Sequence, residues 1–98
     1  IELKDIVCCI AHGRYSRIIT VGGNEYLLTR LLKDLENILT EDNFFRTHKS
    51  FLVNLDHLKN YCRNKDCPIT LTTGMKVQLA KRRKQDFQRK LKAMAHTI

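Results

Sequence analysis

FFRTHKSFLVNLDHLKNY, residues 44–61, is the stretch on which the reading of this chain turns. Phe44/Phe45 and Phe51/Leu52 form two apolar pairs, and Arg46, His48, Lys49 and Ser50 lie between them. Apolar and polar residues change over too quickly for one buried strand, which would show a continuous apolar run. The pattern predicts a segment anchored in a core at both ends that presents a polar, cationic piece in between. That piece is either a solvated edge or a surface that meets a ligand, and the remainder of the chain has to separate the two.

Charge is the first discriminator. The 98 residues carry 18 Lys/Arg against 10 Asp/Glu, a formal net charge of +8. Residues 1–49 are balanced, with seven basic and seven acidic groups; residues 50–98 hold the other eleven and three. Most of the excess lies between Lys76 and Lys92. A basic half of this kind is the footprint of a polyanionic partner, with a solvated helix face as the plain alternative.

Other classes recede. At 98 residues with 43% hydrophobic content the chain is one domain with a modest core, and it is not disordered. Opening directly on strand-like sequence at Ile1, it is expected to be a domain of a longer protein. No apolar run approaches the roughly 18 residues of a membrane helix. The cysteines are Cys8, Cys9, Cys62 and Cys67. Adjacent Cys8 and Cys9 cannot easily pair, and the C-x4-C spacing of Cys62 and Cys67 does not match a zinc knuckle. Free, mostly buried thiols in a reducing cytoplasm are expected, with a Cys62–Cys67 disulfide as the alternative. No nucleophile elbow, HExxH or phosphate loop frames the Ser, His and carboxylate side chains, so no catalytic residue, metal or cofactor is assigned.

Local patterns predict a mostly β chain with two helices. Ile1–Lys4 alternates weakly as an edge strand. IVCCIA (6–11) reads as a buried strand, His12–Arg14 as a turn and YSRIITV (15–21) as a second strand. Gly22-Gly23 makes a hairpin into a third strand, 24–28. Thr29 is the expected N-cap of a helix whose apolar face is Leu31, Leu32, Leu35, Ile38 and Leu39, ending near Thr40. Leu55–His57 suggests a helical turn, 58–63 another strand and 64–68 a loop. A hairpin follows at 69–79, turning at Thr73-Gly74, and a closing helix spans about 81–95 with a Phe87/Leu91/Met94 seam. The helices are not sequential, so a helix-turn-helix is disfavoured.

Three cationic clusters then sit at turns or element boundaries: Arg14–Arg17, Arg46–Ser50 and Lys81–Lys84. Nucleic acids ask for phosphate contacts that position and base-edge contacts that specify, and Arg and Lys provide both. Two other readings remain open: a single-stranded nucleic-acid binder with an OB-like barrel, whose stacking surface would need Tyr15, Tyr26 or Tyr61, and a module whose basic helix meets an acidic protein.

FFRTHKSFLVN resembles the signature of LytTR domains, roughly F-x-R-x-H-[RK]-S-[YF]-[LIV]-V-N. Asp5-Ile6-Val7, Gly13-x-Tyr15-Ser16, Leu32-Lys33-x-Leu35-Glu36, and Gly74, Val77 and Lys81-Arg82-Arg83-Lys84 are similar to further family motifs, so the resemblance covers almost the whole chain. It implies a fold of short antiparallel sheets with loops that enter successive major grooves of double-stranded DNA, two copies on tandem repeats, and an N-terminal receiver domain in a bacterial, cytoplasmic response regulator. By the same resemblance Ser16, Lys49 and Lys81 match base-contacting positions. Arg14, Arg17, Arg46, Ser50, Arg82 and Arg83 match or neighbour phosphate-contacting ones. His48 and Asn54 are expected to hold loop geometry. Ile10, Arg14 and Ala80 depart from the frequent Glu, Asn and Ser.

Overall fold

The structure, a computed structural model, describes residues 2–39, 43–62 and 68–95. Among these residues ten strands and helices follow in order: β1 (Ile6–His12), β2 (Tyr15–Thr20), β3 (Glu25–Leu28), α1 (Leu32–Ile38), β4 (Phe44–His48), β5 (Phe51–Asn54), β6 (Leu58–Asn60), β7 (Ile69–Leu71), β8 (Lys76–Val77) and α2 (Lys84–Ala95). Short 3₁₀ turns occupy Leu3–Asp5, Leu55–His57 and Lys81–Arg83.

The strands form two antiparallel sheets, one of five strands in the order β3-β2-β1-β5-β4 and one of three in the order β6-β7-β8. β1, the most apolar strand, lies at the centre of the larger sheet because both its faces are covered. Ile6 and Cys9 pack with Ile18, Leu52, Phe44 and the α1 residues Leu32, Leu35 and Leu39. Val7 and Cys8 face the other way, into a cluster with Val53, Leu55, Ile69, Leu71, Val77 and Phe87. A register shift between Ile6 and Cys8 lets two successive residues share a face, so the alternation is broken within the strand. The result is a layered body, α1 on one face of the larger sheet and the smaller sheet with α2 on the other.

Cys8 and Cys9 are free and have no exposed surface. Burial pushes both thiols up to about 12, so neither is a nucleophile near neutral pH. The expectation of free thiols fails at Cys62, which is in a disulfide; Cys67 lies outside the described residues.

Other departures have local causes. Leu3–Asp5 is a 3₁₀ turn, where an edge strand was expected. α1 begins at Leu32 with Leu31 as N-cap and no side-chain cap bond, so Thr29 does not cap it. The buried face is therefore narrower than expected: Leu32, Leu35 and Leu39 are buried, whereas Leu31, before the helix, and Ile38, at the margin of that face, are 50% and 60% exposed. The expected helix end at Thr40 and the loop residues 64–67 fall outside the described residues.

The 44–61 stretch opens as a hairpin, β4 and β5 with only Lys49-Ser50 as its turn, and continues through the Leu55–His57 3₁₀ turn into β6. Its alternation is too fast for one strand because three short strands and the turns between them share it. Phe44 and Leu52 enter the α1-side cluster and Val53 the other, with Phe45 and Phe51 packed against the latter.

Candidate nucleic-acid interface

The β1–β2 turn starts from the register His12↔Tyr15, which leaves only Gly13 and Arg14 to reverse the chain. Gly13 has φ +61, a conformation that side chains with a Cβ disfavour, so glycine makes this two-residue turn feasible. Arg14 is thereby carried clear of the sheet and is exposed, as are His12 and Tyr15 beside it.

The β4–β5 turn lies next to it. β1 and β5 pair antiparallel through Ile10↔Phe51. Beyond that pair the Ala11 amide donates to the Ser50 carbonyl at 2.9 Å, joining the two turns at one end of the sheet. Lys49, at the tip, is exposed.

The third cationic element is tied to the outer strand of the same hairpin. The Ala80 amide donates to the Thr47 carbonyl at 2.7 Å, and Arg83 Nη1 donates to the Arg46 carbonyl at 3.2 Å. These bonds hold the Lys81–Arg83 turn along β4 at the start of α2. Lys81 and Arg82 are exposed there. The register of β4 on β5 shifts between Arg46 and His48, and the extra residue, Thr47, supplies the carbonyl that receives the incoming chain.

The three clusters named from sequence are thus brought side by side, but their members differ. Arg14, Lys49, Lys81 and Arg82 are exposed cations. Ser50 is half-buried, and its amide donates to His48 Nδ1 at 3.1 Å while its carbonyl receives Ala11. Arg17 forms an ion pair with Glu25 across the β2–β3 ladder; this partner raises the guanidinium pKa and lowers that of the carboxyl. Ser16 has no exposed surface, and its hydroxyl donates to the Arg30 carbonyl at 2.7 Å. A base could reach that hydroxyl only after the β2–β3 edge moved.

Arg46 and Arg83 are also turned inward. Arg46 donates from Nε to the His48 carbonyl (3.0 Å), from Nη1 to Glu36 (3.0 Å) and from Nη2 to the Lys49 carbonyl (2.5 Å). Arg83 Nε is buried without a hydrogen-bond partner. His48 and Asn54 hold local geometry: His48 Nδ1 accepts Ser50 N–H, and buried Asn54 donates to the Ile6 carbonyl at 2.9 Å while accepting from the Asp56 amide at 3.0 Å.

Sequence reasoning treated α1 as packing alone and missed Glu36. The available signal was Glu36 lying on the helix face next to Leu32 and Leu35, ten residues before an arginine of alternating register. Among the described residues no group of three or more His, Cys, Asp or Glu side chains could hold a metal, and no helix is long and apolar enough to cross a membrane.

The family model of the LytTr DNA-binding domain matches residues 1–92. The chain belongs to the LytTR family. That family is one of DNA-binding domains. It is 28% identical over 91 residues to the transcriptional regulatory protein NatR of Bacillus subtilis (strain 168), covering 90% of this chain and 39% of that protein. The chain therefore spans about two-fifths of the length of that curated relative. A solved LytTr DNA-binding domain from Bacillus cereus superposes with a TM-score of 0.82 at 19% identity, over 93% of this chain and 84% of the other. The mainly β LytTR fold with two helices is thereby established.

Proposed function

We propose that this LytTR domain reads double-stranded DNA sequence-specifically with three adjacent turns and without a recognition helix. The observation that carries this reading is the pair of backbone hydrogen bonds, Ala11 to Ser50 and Ala80 to Thr47, that line up exposed Arg14, Lys49, Lys81 and Arg82. A row of cations projecting from turns can follow a groove, placing some side chains at base edges and others at phosphates. Lys49 and Lys81 are assigned to base edges and Arg14 and Arg82 to phosphates. Arg17, paired with Glu25, and Ser50, whose amide and carbonyl are bonded to His48 and Ala11, are secondary candidates for phosphate contacts. Arg46 and Arg83, which the resemblance placed at DNA, are assigned to holding the turns, and Ser16, also placed there, to holding the chain after β3 through the Arg30 carbonyl, because their polar groups face the protein.

In the full-length protein the domain serves as the output of a bacterial, cytoplasmic response regulator with an N-terminal receiver, and two copies occupy tandem repeats. Selection of bound duplexes from a random pool tests this directly. A recovered motif repeated in direct orientation is the expected result, and a pool without enrichment overturns the reading.

The single-stranded alternative asks for aromatic rings exposed together on a sheet face. Tyr26 is opposite Ile18 and shares its face, whereas Tyr15 follows the alternation of Arg17 to the opposite face. Tyr61 packs edge-on against Phe87 at 5.4 Å. No observation on this surface favours an acidic protein over DNA.

A further inference from the structure

We infer that Glu36, on α1 and outside the three turns, is a positioning residue for DNA readout, acting through Arg46 as a clamp on the Lys49 turn. The inference rests on the DNA-binding reading above and adds to it a residue that acts through Arg46.

The geometry begins with alternation along β4. Phe44 and Arg46 share the face that α1 covers, since Phe44 packs with Leu32 and Leu35 and Arg46 is opposite Leu52. Arg46 therefore runs beneath α1, where its side chain is only 14% exposed and meets Glu36. Its guanidinium then has three acceptors: the Glu36 carboxylate on one side, and the His48 and Lys49 carbonyls on the other. The two carbonyls belong to the residues that form the hairpin tip. A planar guanidinium held by a carboxylate cannot swing without releasing them, so the fork fixes the path of the backbone that carries Lys49.

The carboxylate is the fixed end of this arrangement. Glu36 is on a helix packed into the core through Leu32, Leu35 and Leu39, whereas the turn has only two residues outside its strands. A half-buried, charge-assisted pair of this kind holds position better than an exposed ion pair, whose long side chains wander. Sites that read a groove lose discrimination when their supports are loose by about 1 Å, even though total charge is unchanged.

Removing Glu36 makes two opposite predictions for DNA. Loss of a negative charge from a basic domain strengthens binding to any duplex. Loss of the clamp weakens discrimination between duplexes. The ratio of affinities for a selected duplex and a scrambled duplex of equal length separates the two effects. Glu36→Ala is expected to lower this ratio about tenfold, within the range for a coupled hydrogen-bond network. Asp34→Ala, which removes the same charge from an exposed position on α1, is expected to leave the ratio unchanged. Glu36→Asp should recover part of it. In the double variant Glu36→Ala/Arg46→Ala the ratio should fall no further than in Arg46→Ala.

An unchanged ratio in Glu36→Ala, or full additivity in the double variant, overturns the inference. Amide hydrogen exchange at Lys49 and Ser50 in the DNA-free domain supplies a second measurement. Faster exchange in Glu36→Ala than in Asp34→Ala is expected, and equal rates remove the clamp while the DNA-binding reading stands. A wild-type domain that fails to discriminate between the two duplexes removes that reading itself, and the inference with it.

Discussion

Lys49 and Arg46 are three residues apart in one cationic cluster, yet they do different work. Lys49 is exposed at the hairpin tip, and Arg46 is folded back under α1 with all three of its nitrogens bonded. The same division separates exposed Arg82 from Arg83, whose Nη1 is used on the Arg46 carbonyl. It separates the roles of exposed side chains too. Lys49→Ala is expected to reduce discrimination at one position of the site, with a loss of about 1–3 kcal/mol for the preferred duplex and little for scrambled DNA. Arg82→Ala should weaken both duplexes alike. Anisotropy titrations of each variant against both duplexes check this, and a Lys49→Ala variant that loses affinity evenly would move Lys49 from base to phosphate.

Among the elements, the two helices differ in how far they were readable. The Phe87/Leu91/Met94 seam of α2 was visible as helical spacing, and it packs under the smaller sheet as that spacing requires. Phe87 has no exposed surface and is flanked by Phe45 at 5.7 Å and Tyr61 at 5.4 Å. Phe87→Ala should therefore cost about 3–5 kcal/mol of stability, combining lost burial with the cavity left behind. α1 gave a broader apolar face in sequence than it buries. Ile38→Ser should stay within about 0.5 kcal/mol of wild type, because this side chain is largely in solvent. Urea unfolding of the two variants measures both values; a large loss at Ile38 would mean that α1 packs through a different face. The β3 edge carries a similar surplus, with Leu27 58% exposed beside Tyr26 and Leu28.

For the whole molecule, the excess of positive charge predicts binding that weakens steeply with salt. Each phosphate neutralised contributes about 0.9 to the slope of log K against log salt concentration. The slope should be about −2 per domain if Arg14 and Arg82 alone reach phosphates, and about −4 if Lys49 and Lys81 reach them as well. Affinity measured across a salt series tests this. A slope near zero is incompatible with a polyanion partner bound through these turns.

The sequence by itself determined the class of this protein: mainly β with two helices, one basic half, three cationic turns and a LytTR signature. Those features are local. Strand alternation, turn glycine and charge are carried by residues close together in the chain, so a linear pattern records them. The tertiary structure decided which cations remain available. Whether an arginine faces DNA or a carbonyl depends on a bulge at Thr47, on the face of β4 that α1 covers, and on a helix carboxylate ten residues away at Glu36. The same holds for Ser16, whose hydroxyl is used by the Arg30 carbonyl across the sheet edge. A hydrogen bond is made in space between groups brought together by the packing of distant elements, and no spacing along the chain encodes which partner arrives first.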